Sequence, residues 1–447
     1  MNIRVLHLAP HYGGGVGTVV RALIAESQRL GGYMHRLACL EAASEATRTW
    51  ASRLGVGLAD RLHWDDEVLK QVLSDTDLVH LHWWHHPLLN AMMHRWDLPP
   101  FRCVLWTHVN GHHPPQNFPL GLVDYPDLLV LATPWSLKAP TLAEAVAQGR
   151  DIRVVRSSAG IPKMLPRVER GDGPVRVGYV GTVDPIKMHP DFIRLCLEAD
   201  VPGRIVVAGG PCHEELRAAA KAVEAEDRFE ILGPIEDVPA LMSCLDVLAY
   251  PLNPQHYGTG EQVLQEAVAA GVVPVVLGTE NEGEMLERLA CGMMTDTEEA
   301  FADSLHQLTT DVTVLNTEQT RCATLSDASL RLNKITMNWH RMYSETLGFS
   351  LGQHRMSGLD HANPNPHELL LAACRGTELA AIYSSLMNDS NFSCNDRPGV
   401  PWGCFSRTRG SSFHYSEFFE DPALEKIDMS FKKIFAPARF LAISQPE

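Results

Sequence analysis

Lys187, Glu261, Glu266 and His108 are the side chains whose types and surroundings could do chemistry in this chain. Lys187 closes the run Val180-Gly181-Thr182-Val183-Asp184-Pro185-Ile186-Lys187, and an ammonium on a loop at a strand end can meet a diphosphate as a point charge. Its plain alternative is a solvated surface lysine. Glu261 and Glu266 lie in Tyr257-Gly258-Thr259-Gly260-Glu261-Gln262-Val263-Leu264-Gln265-Glu266, which reads as a glycine loop running into a helix. Thr259 with Gln262 three residues later forms a capping box, so the helix is expected to begin just after Thr259. Its free N–H groups and positive dipole end, at residues 260–262, then suit a phosphate. A helical side chain leans toward the N-terminus, so Glu266 reaches back to a ligand held at the cap, or else it is an ordinary solvated glutamate of a βα unit. His108 ends the apolar run Val104-Leu105-Trp106-Thr107 and is the histidine best placed to face a substrate, a structural histidine being the plain alternative.

A second glycine loop, Gly13-Gly14-Gly15-Val16-Gly17, sits between a strand pattern and a helix pattern, where the backbone at Gly15 and Gly17 can approach a phosphate closely. Thr18 stands where G-x-G-x-x-G needs its third glycine, which disfavours a nicotinamide dehydrogenase. His80, His82, His85 and His86, with His108, His112 and His113, are dense enough to raise a metal site. There is no H-E-x-x-H, no nearby cysteine pair and no carboxylate among residues 80–86, so no metal is expected and the histidines read as neutral donors at a polar crevice.

These residues need a scaffold, and the patterning supplies one. Strand-like runs at 3–9, 34–40, 78–82, 103–108, 128–132 and 152–156 alternate with helical segments such as 67–73 and 137–148. After a polar, glycine-bearing stretch at 167–174 the alternation restarts, with strands at 175–179, 204–208, 229–232, 247–250 and 272–277 and helices at 190–198, 213–224 and 238–245. The fold class is therefore α/β, with two doubly wound parallel sheets in domains at 1–168 and 169–330. Ligand crevices in such sheets lie beyond the carboxyl ends of the strands, which puts residues 13–17, 80–86 and 108–113 on one rim, and a cleft between two such domains is a common small-molecule site. Residues 331–348 read as a helix, and 349–447 as an extension with an amphipathic helix at 367–387 and an aromatic-rich stretch containing Trp402, Phe405, Phe413, Tyr415, Phe418 and Phe419. Those aromatics need burial, so the extension is an acceptor or partner module, or a lid.

Composition narrows the class. The chain has 447 residues, 45% hydrophobic and 21% charged, with 38 basic against 54 acidic side chains and a formal charge of −16. That balance gives no general affinity for nucleic acid or anionic lipid. The 10 cysteines are scattered and read as buried thiols, with Cys394 and Cys404 lying in loop-like sequence where a pair is conceivable. Arg4 and His7 interrupt the first apolar run, which is a strand rather than a signal peptide, and no window approaches about 18 uninterrupted apolar residues. A cytoplasmic location is expected.

Taken together, residues 1–345 resemble the family 4 glycosyltransferases, retaining enzymes with the two-domain GT-B fold, most closely over 175–277. The glycine loop at 13–17 resembles the family's phosphate loop and His108 its strand-end histidine. Ser157-Ser158-Ala159-Gly160-Ile161-Pro162 looks like the turn after the last N-domain strand, with Ala159 in place of the usual asparagine. Gly181 to Lys187 looks like the G-R-L…K segment, with Thr182 in place of the arginine; Gly233-Pro234-Ile235 falls where the family's backbone lines the nucleotide base. The second glutamate of the E-x7-E motif falls on Glu266, which the resemblance assigns to the ribose hydroxyls, whereas the first falls on Gly258, with Glu261 displaced by three positions. The resemblance implies metal-independent transfer from a nucleotide-diphosphate sugar, with Lys187 and the two helix N-termini stabilising the leaving diphosphate and the diphosphate helping to deprotonate the acceptor. Gly258 and Thr182 keep open an alternative: a non-catalytic nucleotide-sugar-binding or scaffold protein on the same fold.

Overall fold

The computed structural model describes residues 2–160, 165–322, 331–388 and 409–434. They form two compact units, the first from 2–160, 257–260 and 331–434, the second from 165–256 and 261–322. Among the described residues no helix is long and apolar enough to cross a membrane.

The first unit is built on seven parallel strands: β1 (Ile3–Ala9), β2 (Tyr33–Cys39), β3 (Gly57–Ala59), β4 (Leu78–Trp83), β5 (Cys103–Thr107), β6 (Leu128–Leu131) and β7 (Ile152–Val154), in the order β3-β2-β1-β4-β5-β6-β7. Val5, Leu78, Val104, Trp106, Leu128 and Val130 share one face, because side chains two apart along a strand point the same way. That face is covered by Val19 and Leu23 of helix Gly14–Leu30 and by Ile335, Trp339, Met342 and Tyr343 of helix Leu332–Thr346. The same parity carries His7, His80 and His82 into this apolar layer. All three are fully buried, and that corrects the placing of His80 and His82 on a polar rim.

The extension is not a separate body. Its helices Pro366–Ala373, Glu378–Asn388, Ser412–Ser416 and Pro422–Ile434 enclose a small apolar cluster of Leu370, Leu379, Ile382, Tyr383, Tyr415, Leu424 and Ile427. The single helix expected over 367–387 is two, broken at Gly376, whose φ is +84°. Tyr415 roots the cluster in the first unit: its hydroxyl accepts from Asn90 Nδ2 at 2.8 Å and lies 3.0 Å from His85 Nε2. Cys394, Cys404, Trp402, Phe405, Ile161 and Pro162 lie outside the described residues.

The second unit has six parallel strands, β8 (Val177–Val180), β9 (Ile205–Ala208), β10 (Phe229–Gly233), β11 (Val247–Pro251), β12 (Val273–Leu277) and β13 (Met293–Thr295), ordered β10-β9-β8-β11-β12-β13. Cys291 and Cys322 form a disulfide where buried thiols were expected, while Cys39, Cys103, Cys196 and Cys374 are buried thiols. Asp246, just before β11, holds the entry of the sheet together. Its carboxylate, 1% exposed, accepts from Arg176 Nε at 3.0 Å and from Arg167. It also takes the Arg176 backbone N–H at 2.9 Å. Arg170 Nε stands 3.9 Å from the same carboxylate, so removing that group leaves three arginines around a buried hole, and Asp246→Ala is expected to cost about 3 kcal/mol or more. Urea denaturation checks this, and an unshifted midpoint would show that water replaces the carboxylate at no cost.

Candidate functional site

In the second unit the glycine loops after β8, β9 and β10 approach one another as bare backbone. A Cβ on Gly209 would lie 1.7 Å from the Gly181 carbonyl oxygen, and both residues have positive φ (+140° and +154°). No side chain fits there, so the two loops can pass each other only as bare backbone, with Gly181 N–H donating to the Ala208 carbonyl at 3.0 Å. Gly209 N–H donates to the Gly233 carbonyl at 2.8 Å, which brings Gly233, exposed Pro234 and half-buried Ile235 alongside. Tyr179 donates its hydroxyl proton to the Thr182 carbonyl at 2.8 Å, fixing the turn that leads to Lys187.

Lys187 is held from two sides. Its carbonyl accepts the Asn253 N–H at 2.8 Å, while Asn253 Nδ2 donates to the Pro185 carbonyl at 2.7 Å. The ammonium, 16% exposed, lies 3.1 Å from Glu261 Oε2. The same oxygen accepts the Tyr250 hydroxyl at 2.6 Å, and burial together with this carboxylate raises the Tyr250 phenol well above its ordinary range. Glu261 Oε1 is buried without a hydrogen-bond partner among the described residues.

This arrangement corrects the expected capping box. Helix Gln262–Ala269 has Glu261, not Thr259, as its N-cap, in a left-handed conformation with φ 31° and ψ 57° and no side-chain cap bond. Thr259 is buried in the first unit, where Gly260 packs so closely on the Ser157 carbonyl that a Cβ would come within 2.1 Å. Asn110 secures this segment, donating its backbone N–H to the Tyr257 carbonyl at 3.1 Å and Nδ2 to the Gly258 carbonyl at 3.3 Å. Glu266 is half-buried on the second turn, and desolvation raises its carboxyl above the ordinary value while a bond from Gln262 opposes the shift.

In the first unit, helix Gly14–Leu30 starts at Gly14 with Gly13 as N-cap, Gly15 exposed in its first turn. Gly17 is buried, and a Cβ there would sit 2.0 Å from the Tyr12 carbonyl oxygen. His108 follows β5, 8% exposed, with its pKa pushed down to about 3 by burial. His112 has turned away to stack on Trp135, centroids 3.9 Å apart. His86 Nε2 lies 3.0 Å from Glu41 Oε1, a carboxylate that the local sequence does not reveal. Sequence reading missed His7 and His35: His7 pairs with His82 on one side and His35 on the other, and His82 pairs with His108. The available signal was the two-residue spacing of His80, His82 and of Trp106, His108, combined with a strand order that places β1 between β2 and β4.

Three sets of described side chains bring metal-type ligand atoms within 4.8 Å of one another: His7, His80 and His82; His189, Asp191 and Glu298; and His256, Glu261 and Glu282. In the first, His7 Nδ1 and His82 Nε2 are 2.9 Å apart and share a proton, closer than the roughly 3.3 Å edge that zinc bonds of about 2.0–2.1 Å require. In the second, Arg194 occupies Asp191 and Glu298. In the third, Glu282 accepts from Thr279 N–H and Oγ1, both at 2.8 Å, and Lys187 holds Glu261.

Residues 174–311 match the family model described as glycosyl transferases group 1. No curated protein matches the chain in sequence. Among solved structures, Anabaena HepE in complex with UDP-glucose is similar at 15% identity and a TM-score of 0.60, covering 77% of this chain and 100% of its own. A glycosyltransferase from Rickettsia africae is similar at 10% identity and a TM-score of 0.52, over 78% and 100%. An O-GlcNAc transferase mutant from Thermobaculum terrenum is similar at 15% identity and a TM-score of 0.53, over 77% and 68%. Residues 174–311 are thus similar to the group 1 glycosyl transferases, and the two parallel α/β sheets are those of the GT-B fold, carried here with a helical extension.

Proposed function

We propose that the chain moves a sugar from a nucleotide-diphosphate sugar to an acceptor hydroxyl, with retention of configuration and without a metal at the diphosphate. The observation that carries this reading is Lys187, a mostly buried cation on a rigid loop at the end of β8, inside the segment that matches the family. Near it stands the positive end of helix Gln262–Ala269, whose N-cap Glu261 pairs with Lys187, and a fixed cation beside a helix N-terminus stabilises charge as it develops on a leaving oxygen. The UDP-glucose complex of HepE supports a nucleotide sugar as donor. Glu266 takes the ribose hydroxyls in this reading, Gly233, Pro234 and Ile235 line the base, Gly15 and Gly17 take part in donor binding, and His108 is the catalytic histidine that faces the substrate.

Glu266→Ala is expected to weaken donor binding by about 1–3 kcal/mol, the scale of hydrogen bonds to a charged group. Calorimetry reads it, and an unchanged affinity removes Glu266 from the site. The reading as a whole is tested by screening nucleotide sugars for a rise in Tm, since a ligand that binds only the folded state stabilises it, and then assaying hydrolysis and transfer with those that bind. At least one is expected to bind and to be turned over. Tight binding with no turnover supports the second reading, a nucleotide-sugar-binding scaffold. That reading has its own observations: Gly258 and Thr182 replace two charged family residues, and Lys187 already has a carboxylate partner in Glu261.

A further inference from the structure

At the carboxyl ends of the first sheet, three histidines from separate segments share one constraint. His11 follows β1, His86 follows β4, and His414 stands on helix Ser412–Ser416 of the extension. Each accepts a backbone N–H at Nδ1: His11 from Gly13 at 3.1 Å, His86 from Leu88 at 3.2 Å and His414 from Gly410 at 2.9 Å. A neutral imidazole has one lone pair and one N–H, so all three are fixed with the hydrogen on Nε2. Burial keeps them neutral, lowering His11, holding His86 well below the ordinary histidine range and taking His414 to about 2.

Those Nε2–H groups are poorly used. On His86 and His414, which are 0% and 2% exposed, Nε2 is buried with no hydrogen-bond partner among the described residues. The two rings lie edge to face with centroids 4.6 Å apart. His11 Nε2 stands 3.5 Å from Arg409 Nη1, one donor against another. A single carboxylate oxygen lies close by, Glu41 Oε1, at 3.0 Å from His86 Nε2 and 4.0 Å from His11 Nε2. That oxygen is also buried without a hydrogen-bond partner among the described residues. Neighbouring His85 takes no part, because its Nδ1 is held by the Pro115 carbonyl and its Nε2 lies 3.0 Å from the Tyr415 hydroxyl.

The place is the point at which the strand order reverses, with β2 on one side of β1 and β4 on the other. Ligands of doubly wound sheets bind beyond the strand ends at such a switch point. Glu41 follows β2, so the three strands that meet here supply Glu41, His11 and His86. The extension is pinned over them: the Arg409 carbonyl accepts from Gln116 Nε2, and the Tyr415 hydroxyl accepts from Asn90. Arg409 is exposed, and the side chains of His11 and Glu41 are 26% and 25% exposed, so solvent reaches the cluster from that side.

The donor set selects the ligand. A metal ion needs the Nε2 lone pairs, which the bonds at Nδ1 have already ruled out. A carboxylate or phosphate meets Glu41 as a like charge. A hydroxyl satisfies both sides at once, because its oxygen accepts from an imidazole N–H while its hydrogen goes to Glu41 Oε1. We infer that His86, His414, Glu41 and Arg409 form a site for adjacent hydroxyls of a sugar residue, completed by the C-terminal extension. Taking that sugar as part of the acceptor, which makes the acceptor a glycan, rests on the glycosyl-transfer reading above; the binding itself does not.

The full chain, labelled with 15N-histidine, is titrated with the methyl glycosides of glucose, galactose, mannose and N-acetylglucosamine, and with glucuronate and inorganic phosphate as charged probes. At least one neutral glycoside is expected to shift the Nε2 resonances of His86 and His414 saturably. Arg409→Ala, at an exposed position, and Glu41→Gln, which keeps the side-chain shape, are each expected to weaken that binding about fivefold or more, the scale of a lost charge-assisted hydrogen bond. Circular dichroism establishes that both variants are folded. In transfer assays the glycoside that binds is expected to act as acceptor or to compete with it, and the two variants to raise the acceptor KM more than they lower kcat. No shift with any neutral glycoside would leave only a trapped water among these groups and overturn the site. A response confined to glucuronate and phosphate would overturn it in favour of an anion site, and binding unaltered in both variants would place the sugar elsewhere. Saturable, variant-sensitive binding in a chain that transfers to no acceptor would overturn the glycosyl-transfer reading and leave the sugar site standing. Transfer onto an acceptor that contains no sugar would overturn the acceptor assignment alone.

Discussion

Lys187→Ala is expected to lower kcat for glycosyl transfer by about 10²–10³, the usual cost of removing one fixed group that stabilises charge on a leaving oxygen, with a smaller effect on acceptor affinity. The same change should destabilise the protein, because Glu261, whose side chain is 1% exposed, keeps only the Tyr250 hydroxyl as partner. Breaking a buried ion pair from one side costs about 3–5 kcal/mol. The two effects separate in a double variant. In Lys187→Ala with Glu261→Gln no buried charge is left over, so stability should return, whereas turnover should stay low. Recovery of turnover in the double variant would mean that Lys187 serves the fold through Glu261 and not the diphosphate.

Acid should unfold the protein steeply between about pH 6.5 and pH 4. Burial lowers His7, His80 and His82 well below their ordinary value, His35 and His85 to about 4 and His108 to about 3. In the unfolded chain each returns to about 6.5, so the unfolded state binds more protons as the pH falls. The neutral rings therefore contribute stability that is fully present above about 6.5 and is lost on acidification toward the folded values. By pH 5 the loss is about 2 kcal/mol for each such ring, and several together consume the roughly 5–15 kcal/mol that a domain has in hand. His354, raised by its bonds to Asp127 and backbone carbonyls against desolvation, works in the opposite sense, but it is a single group. Tryptophan fluorescence against pH measures the effect, since Trp106 and Trp339 are buried against His80. Stability that stays flat from pH 7 to pH 5 would contradict it.

The alternation of strands and helices was legible because buried parallel strands are near-continuous apolar runs, and every strand expected from 3 to 277 is present within a few residues. Lys187 was legible through its loop. What the loop could not show is the partner that holds it, since Glu261 comes from 74 positions later (261 less 187) and meets Lys187 only once β8 and β11 lie side by side. The capping box at Thr259 and Gln262 failed for a related reason. Local capping is worth about 1 kcal/mol, and at this point the packing of Gly260 on the Ser157 carbonyl and the buried bonds of Glu261 decide where the helix begins. The histidines show the same limit. Two-residue spacing within β4 and across the end of β5 marks a common face, but only the order β2-β1-β4-β5 brings His35, His7, His82 and His108 into single file.

The rooting of Tyr415 bears on whether the first unit could do without the C-terminal helices. A tyrosine that accepts from Asn90 and reaches His85 is not an ornament, because taking away its hydroxyl would leave a buried amide and a buried imidazole each one partner short. Gln116 and Asn117 are committed in the same way, to the carbonyls of Arg409 and Ala373. The helices beyond residue 349 therefore work as part of the first unit's own hydrogen-bond accounting: four of its side chains, Asn90, His85, Gln116 and Asn117, use partners that a chain ending before them would not supply.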